Sequence, residues 1–281
     1  MNGFGTRSSD MDICLITKHD VGDEVSFLAQ VRRLLKRKCG SFLNNDIELI
    51  PAKVPILKMY DDIGQIEIDL SCANGQAVRN SHLLFCYSQL DWRVRPLVIN
   101  IKTWAKNAGI NDAKYSTISS YTLTLMIIHF LQHGTRPNIL PSLSQLHPQM
   151  FHGNSNIFKL NFFNDLPKFA SRNEQSLGEL LVGFFRYYNQ DFNFMVDCGS
   201  VRCGKAISIN ECYNLSKQQR TNPGQWNAYI CMEEPFDRSN SGRAIIKRPQ
   251  FDKILSSFQR AQRLMENTKC IQCLFGGCEK H

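Results

Sequence analysis

Two short runs of alternating apolar and acidic residues constrain the fold of this chain more than any other feature. The first run is residues 10–15 (DMDICL), and the second is residues 66–70 (IEIDL). Alternate residues of a β-strand project to opposite faces of a sheet. Asp10 and Asp12 therefore share one face of the first strand, and Asp69 lies on the polar face of the second. If the two strands are neighbours, the three carboxylates converge at one edge of a sheet.

The apolar residues of the two runs are expected to face a hydrophobic core on the other side of the sheet. They are Met11, Ile13 and Leu15 in the first run, and Ile66, Ile68 and Leu70 in the second.

A cluster of three carboxylates repels itself unless cations lie between them. Its oxygen atoms suit Mg²⁺, or Mn²⁺ in its place. In two-metal phosphoryl transfer, two such ions about 4 Å apart hold the attacking and leaving oxygens. The pattern therefore predicts catalytic metal ligands at Asp10, Asp12 and Asp69, although an acidic pair of this spacing is also a common surface pattern.

The composition is that of a soluble globular protein with a polyanionic partner. Of the 281 residues, 43% are hydrophobic and 21% are charged, and the formal net charge is +8; such a charge favours nucleic acid. The sequence has no apolar run long enough for a membrane span and no signal-peptide layout at its start. Its eleven cysteines are scattered and fit reduced thiols better than a disulfide framework. We expect a cytoplasmic protein without a membrane partner, with passage through the nucleus left open.

The spacing of apolar residues divides the chain into an α+β part and a helical part. Residues 1–72 predict a strand, a helix over 24–38 and two or three further strands. The core stripe of that helix is expected at Phe27, Val31, Leu34 and Leu35. Its end is the densest basic run, residues 32–38 (RRLLKRK), which we interpret as a solvated helix end favoured by the helix dipole, ahead of an RNA contact or a nuclear targeting signal.

The pattern becomes helical from residue 73 onward. Helices are predicted over 95–107, 121–132, 176–188 and 250–266, with an irregular, exposed connection over 136–161 and short strands and turns over 189–240. The predicted domains are therefore 1–72, 73–266 and a cysteine-rich tail, 267–281.

Ordered motifs across most of the chain carry a family resemblance. They are residues 3–12 (GFGTRSSDMD), 74–81 (NGQAVRNS), 91–97 (DWRVRPL), 101–106 (IKTWAK), 119–121 (SSY) and 234–240 (EPFDRSN). The chain resembles the nucleotidyltransferases of the DNA polymerase β superfamily, and among them the germline-development-defective type of cytoplasmic poly(A) polymerase. The resemblance implies an α+β fold with a nucleotidyltransferase palm, a mainly helical central domain and a PAP-associated region over about 176–240.

In one respect the chain departs from this family pattern. The family's glycine-rich turn normally begins with a Gly-Ser pair, preceded by a helix and the first strand of the sheet. This sequence starts at Met1, just downstream of the position of that pair. We therefore expect an N-terminally truncated palm, and weak or absent activity until the upstream segment is restored.

The resemblance assigns phosphate and base contacts to four residues. Lys102 and Lys106 are four residues apart and share a helix face, and by resemblance they bind the β and γ phosphates. Ser120 donates to the same phosphates, and Tyr121 offers a ring on which the base stacks. Taken without the resemblance, the same residues fit surface lysines, a helix N-cap and a core aromatic.

Ribose contacts are expected from Asn74, Asn80 and Ser81, whose short polar side chains suit the 2′- and 3′-hydroxyls. Asparagines at a junction between a loop and a helix are also common helix caps.

The residues before Asn240 predict which nucleotide is used. In the uridylyl-transferring relatives a histidine is inserted just before the equivalent of Asn240, whereas here Ser239 precedes it directly. The missing histidine favours ATP. Glu234 or Asp237 can accept from the adenine amino group, or pair with a neighbouring arginine.

The tail contains a possible zinc motif outside the family pattern. Cys270, Cys273, Cys278 and His281 have the spacing C-x2-C-x4-C-x2-H, and thiolates with imidazole suit tetrahedral zinc. The short loop and the terminal position of the histidine argue for an unrelated tail instead.

The sequence predicts an RNA adenylyltransferase that adds AMP from ATP to mRNA 3′ ends. Two alternatives remain: a catalytically impaired remnant that binds RNA or protein, and a terminal uridylyltransferase. Neither the aromatics of an RRM nor a KH loop is found, so we expect an RNA-binding protein partner to supply the choice of RNA.

Overall fold

The computed structural model describes residues 2–6, 9–18, 20–39, 43, 46–52, 54–160, 169–268 and 270–275. The chain divides into two compact units, one of residues 1–82 with 156–160 and the other of residues 83–155 with 161–281. The division falls inside a helix, between His82 and Leu83. The domain limits given above remain predictions.

The first unit contains a four-stranded mixed sheet. Its strands are β1 (Met11–Leu15), β2 (Glu48–Ile50), β3 (Ile56–Asp61) and β4 (Ile66–Cys72), in the order β1-β4-β3-β2. β1 pairs in parallel with β4, and the other two pairs are antiparallel. The two alternating runs therefore form neighbouring strands, which meets the condition for bringing their carboxylates together.

One helix, α1 (Glu24–Cys39), covers a face of this sheet. Leu28 is fully buried with strand residues such as Leu57 and Leu70, while Phe27, Val31 and Leu35 pack around them. The sequence-based assignment of Leu34 to the core was wrong, since its exposure is 49%. Leu34 lies at the margin of the apolar stripe, which is centred nearer Leu28, and the sheet does not reach it.

The predicted burial of β1 is only partly correct. Met11 and Ile13 are 46% and 36% exposed, whereas Leu15 packs against the core. All three lie on the same face as Leu70, with which Ile13 pairs. They differ in burial because β1 is the outermost described strand, and the main contacts of α1 are with the other three strands.

The second unit is mainly helical, so the predicted α+β class with a helical second part is confirmed. The helices are α2 (Gly75–Leu90), which begins in the first unit, α3 (Val94–Asn107), α4 (Ser120–His129), α5 (Leu143–Leu146), α6 (Leu177–Arg186), α7 (Ile209–Gln218) and α8 (Arg248–Thr268). A small sheet has the order β6-β5-β7, from β5 (Asp197–Ser200), β6 (Lys205–Ser208) and β7 (Met232–Glu233).

Four predicted helices correspond to α3, α4, α6 and α8, and π-helical turns extend α4 and α6. Two other expectations were wrong. α7 lies within the stretch predicted to hold only strands and turns, because just Cys212 and Ser216 of its ten residues are buried. The connection over 136–161 is irregular but not uniformly exposed, since Leu140 and Phe151 are buried in it.

Aromatic packing joins α3, α6 and α8. The ring of Trp104 meets Phe185 edge-on at a centroid distance of 4.7 Å and Phe258 at 5.3 Å. Edge-to-face pairs of this kind add about 0.5–1.5 kcal/mol beyond their burial. The core therefore fixes one side of α3 and leaves its other side free to present polar groups.

A buried arginine fixes the start of α3. Arg93 forms an ion pair with Asp91 (Nη2–Oδ2 2.7 Å) and donates through Nη1 to the carbonyl oxygens of Asn173 and Gln175 at 3.0 and 2.7 Å. The motif over 91–97 is therefore structural, because it ties α3 to the segment that leads into α6.

No helix in the described ranges is long and apolar enough to cross a bilayer. Nine of the described cysteines are outside any disulfide bond, and Cys273 is disulfide-bonded.

Candidate active site

The sheet register brings acidic residues of β1 and β4 together. Asp12 lies directly opposite Asp69 in the parallel pair. Asp10 immediately precedes β1, two residues before Asp12 and hence toward the same face. The position of these carboxylates at one edge of the sheet follows from the parallel pairing of β1 with β4.

Burial and like charges act on this acidic group. The pKa of Asp12 is raised, first by burial and then by the negative charges of Asp69 and Asp10. A hard divalent cation would relieve this repulsion, so the donor set fits the predicted Mg²⁺. Nevertheless, the described residues do not contain three His, Cys, Asp or Glu side chains already arranged to hold a metal ion.

One lysine of the first unit balances part of this charge. Lys58 lies opposite Asp69 in the β3–β4 pair and forms an ion pair with Glu67 at 2.7 Å. Its pKa is raised, first by the hydrogen bond to Glu67 and further by the charges of Asp69 and Asp10. Nothing in the sequence patterns had singled out this residue, because its link to Asp69 depends on the antiparallel register.

The start of α2 contains the residues predicted to contact ribose. Asn74 caps the helix, since its Oδ1 accepts from the backbone N–H of Ala77 at 3.1 Å. Asn80 is different, because its Oδ1 is buried and has no hydrogen-bond partner in the described part of the chain. Ser81 follows it, half-buried. Of these three, Asn80 has an acceptor that a bound hydroxyl could use.

Two lysines lie on the side of α3 away from Trp104. Lys102 is partly buried, and its pKa is lowered, first by burial and then by the positive charge of Lys106. Within the described residues, neither lysine forms an ion pair. Two neighbouring cations without carboxylate partners form a site that an anion would stabilise.

The first turn of α4 has two serines, and the structure shows which of them caps the helix. Ser119 is the N-cap, with Oγ accepting from Thr122 N–H at 3.0 Å. Ser120 is exposed, and its hydroxyl donates to Asn111 Oδ1 at 3.1 Å. Tyr121 is partly buried, and its hydroxyl donates to Glu234 Oε1 at 3.1 Å. The capping role therefore belongs to Ser119, which leaves the Ser120 side chain at the surface.

The turn after β7 is built around Glu234 and Asn240. Glu234 accepts through Oε2 from the N–H groups of Phe236 and Asp237 at 2.8 and 2.6 Å, and burial raises its pKa to about 7. Asn240 is fully buried and accepts from Gly242 N–H at 2.8 Å. Glu234 thus has an intramolecular role that the sequence did not reveal, and within the described residues it forms no ion pair with an arginine.

The suggested zinc motif gains no support. Cys270 and Cys273 lie in or beside a 3₁₀ turn (Ile271–Phe275), and a disulfide-bonded sulfur such as that of Cys273 is not a thiolate ligand. Cys278 and His281 lie outside the described residues.

Family models match two parts of the chain. Residues 1–89 match the central palm domain of mitochondrial-like poly(A) RNA polymerase. Residues 176–240 match the model of the Cid1 family poly A polymerase.

Similar proteins cover nearly the whole chain. Poly(A) RNA polymerase GLD2-A of Xenopus laevis is 41% identical over 268 residues, which are 93% of this chain and 50% of the relative. The solved structure of a GLD-2/RNP-8 complex matches with 36% identity and a TM-score of 0.80, covering 99% of this chain and 83% of that one. The Cid1 poly(U) polymerase structure matches with 26% identity and a TM-score of 0.77, covering 98% and 82%.

The chain spans only part of the length of its curated relatives, from 20% of one from Drosophila melanogaster to 55% of one from Mus musculus.

Proposed function

The chain belongs to the GLD2 family of poly(A) RNA polymerases, and on that premise we propose that it transfers AMP from ATP to RNA 3′ ends. The observation that carries the proposal is the pairing of Asp12 with Asp69, with Asp10 beside them. In this reaction the 3′-oxygen of the RNA bonds to the α-phosphorus of ATP. The bond from that phosphorus to the β-phosphate oxygen breaks, and pyrophosphate leaves.

Asp10, Asp12 and Asp69 are the proposed Mg²⁺ ligands. When bound, divalent cations supply charge stabilisation and lower the pKa of the attacking hydroxyl. The carboxylates contribute a rigid set of oxygens, because Asp12 and Asp69 are fixed by backbone pairing between two strands. The pKa of Asp12 is raised, first by burial and then by the charges of Asp69 and Asp10, and a bound cation would relieve the repulsion among the three carboxylates.

Lys102 and Lys106 are the proposed triphosphate ligands on α3. Their positive charges repel each other in the free protein, so binding an anion relieves this repulsion as well as forming new contacts. Partial burial of Lys102 strengthens its interaction with phosphate, because fewer water molecules screen it. The leaving pyrophosphate is the group that needs this charge. The exposed hydroxyl of Ser120 donates to Asn111 in the free protein, and it is proposed to donate to the same phosphates when they are bound.

Tyr121 is the proposed platform for the base, and Asn80 with Ser81 the proposed ribose contacts. The unpartnered Oδ1 of Asn80 supports its role, whereas the oxygen of Asn74 is used by the α2 cap. ATP is the proposed nucleotide, because Ser239 precedes Asn240 without an inserted histidine. The similarity to the Cid1 poly(U) polymerase makes uridylyl transfer the alternative.

An RNA-binding protein is the proposed partner. One similar structure is that of GLD-2 with RNP-8, and another is that of GLD-2 with GLD-3. A cytoplasmic site of action remains a prediction from the sequence.

The test compares tail addition to one RNA primer with ATP or UTP, using Asp69→Asn and Asp62→Asn. Asp62 is an exposed carboxylate in the turn between β3 and β4, so its variant is the matched control. We expect ATP to be preferred, Asp62→Asn to keep the rate, and Asp69→Asn to lose at least about a hundredfold.

Three results would contradict parts of the proposal. An undiminished rate in Asp69→Asn would exclude the metal assignment, and preference for UTP would establish the uridylyltransferase. RNA binding without addition of either nucleotide, both by the chain as given and by a chain extended at its N-terminus, would favour the non-catalytic alternative.

A further inference from the structure

Glu234 has the contacts of a side chain that supports another residue. Glu234 is 4% exposed, and its Oε1 accepts from the Tyr121 hydroxyl at 3.1 Å. Oε2 accepts from two backbone N–H groups of its own turn, those of Phe236 and Asp237. Each oxygen therefore already has a donor within the protein.

The carboxylate is held rigidly. Besides the two N–H groups on Oε2, the backbone N–H of Glu234 donates to the carbonyl oxygen of Ser239 at 2.8 Å, and its carbonyl oxygen accepts from Arg238 N–H at 3.1 Å. The turn thus fixes Glu234 at both the main chain and the side chain. A fixed acceptor restricts the rotation of the phenol that donates to it, because a hydrogen bond depends on direction as well as distance.

A separate contact attaches α4 to the same turn. The hydroxyl of Thr122 donates to the carbonyl oxygen of Ser241 at 2.8 Å, and Ser241 N–H donates to Met232 O at 2.9 Å. The helix is therefore positioned without the Tyr121–Glu234 bond. What that bond adds is the orientation of one aromatic ring.

We propose that Glu234 is a positioning residue, which holds the ring of Tyr121 in the orientation that stacks on the nucleotide base. This inference rests on the proposed function, in which Tyr121 is the stacking platform. Because stacking is tolerant of base identity, Glu234 should matter for any purine and should not read the exocyclic amine. The carboxylate acts only through the tyrosine.

The experiment measures dissociation constants with Mg²⁺ and without RNA for three ligands. They are ATP, purine riboside triphosphate, which lacks the exocyclic amine, and ribose triphosphate, which lacks the base. The variants are Tyr121→Phe, Glu234→Gln and the double variant. Glu233→Gln is the matched control, because Glu233 is equally buried and adjacent but bonds to Arg202 and Ser200 instead.

We expect Glu234→Gln and Tyr121→Phe each to weaken ATP and purine riboside triphosphate by about fivefold to tenfold, since a hydrogen bond to a charged group is lost or weakened. Ribose triphosphate should bind all variants alike. The double variant should match Tyr121→Phe alone, because the two side chains act as one unit. Glu233→Gln should lower stability and leave the ratio of ATP to ribose triphosphate affinity unchanged.

Other outcomes overturn the inference. If Glu234→Gln weakens ATP but not purine riboside triphosphate, the carboxylate contacts the amine directly. If it weakens ribose triphosphate as well, its role is general support of the fold. If Glu234→Gln does not fold, the result for Tyr121→Phe is used instead. An equal loss of affinity for ATP and for purine riboside triphosphate supports the proposal, and unchanged affinity for both overturns it. If the unmodified chain binds ATP no more tightly than ribose triphosphate, the base makes no contribution and this inference alone is overturned. If it binds neither ATP nor ribose triphosphate, the proposed function is overturned as well.

Discussion

Glu233 and Glu234 are adjacent and both buried, but only Glu233 has an arginine partner among the described residues. Glu233, 2% exposed, forms an ion pair with Arg202 at 2.7 Å and also bonds to Ser200. Glu233→Ala should lower the free energy of unfolding by about 2–4 kcal/mol, because it leaves Arg202 without its partner. Arg202 is 27% exposed, so water offsets part of that cost. Chemical denaturation measures the change.

The matched control is Asp252→Ala, which breaks an exposed ion pair with Arg248 within one helix. It should cost no more than about 0.5 kcal/mol. If both variants lose the same free energy of unfolding, burial does not determine how much the Glu233–Arg202 ion pair stabilises the fold.

Glu234 makes stability depend on pH. Burial raises its folded-state pKa from 4.5 to about 7, against the effect of the amide donors and with the help of the Asp237 charge. The folded state therefore holds this proton more tightly than the unfolded state does. Its contribution to stability is fully present below pH 4.5 and is lost as the pH rises toward about 7. Glu234→Gln cannot titrate, so its unfolding free energy should fall less over that range than that of the unmodified chain. If the unfolding free energies of the variant and the unmodified chain change in parallel with pH, the raised pKa of Glu234 is contradicted.

The sequence could indicate Tyr121 and Glu234 as separate residues of interest but not as a pair. They are 113 residues apart, and no local spacing relates them. Helix capping is a local interaction by comparison, because Ser119 and Asn74 accept from N–H groups three positions later. Lys102 and Lys106 form no ion pair within the described residues, which is compatible with their predicted roles, and those roles remain predictions.

At the scale of elements, the turn between β7 and α8 depends on a glycine. A β-carbon at Gly242 would overlap the carbonyl oxygen of Ile230, and Gly242 N–H bonds to the buried Asn240. Gly242→Ala should therefore destabilise the protein by about 2 kcal/mol or more, since backbone atoms must move. Thermal unfolding measures the shift.

Gly178→Ala is its control. Gly178 lies in the first turn of α6 (Leu177–Arg186), and a β-carbon there meets nothing within 4 Å. It should raise stability by up to about 1 kcal/mol through helix propensity. A similar loss in both variants would show that the crowding at Gly242 is relieved elsewhere.

The elements that sequence patterns predicted best are those with a continuous apolar stripe. α1, α3, α6 and α8 each bury one face, and their predicted and observed limits agree within two residues or are extended by a turn. α7 has too few buried positions to produce such a stripe. Met11 and Ile13 were misjudged because alternation gives the face of a strand but not its place in the sheet.

At the scale of the whole molecule, the order of motifs along the chain was sufficient to predict the fold class, whereas composition alone was not. A net charge of +8 indicates a polyanionic partner but does not locate its binding surface. The last turn of α1 illustrates this. It has three basic residues, Lys36, Arg37 and Lys38, all exposed, and the helix dipole alone accounts for their position.

The dependence of RNA affinity on salt concentration can show whether the basic residues at the end of α1 contact RNA or only add to the net charge. If the chain binds single-stranded RNA through about three phosphate contacts, its affinity should fall at least about tenfold between 50 and 200 mM salt. Lys36→Gln with Lys38→Gln lowers the net charge by two but should leave the slope of log affinity against log salt unchanged, because we interpret these residues as a solvated helix end. A shallower slope in this double variant would show that α1 contacts RNA and that our interpretation is wrong. Affinity without any salt dependence would mean that the positive charge of the molecule is not used for RNA binding at all.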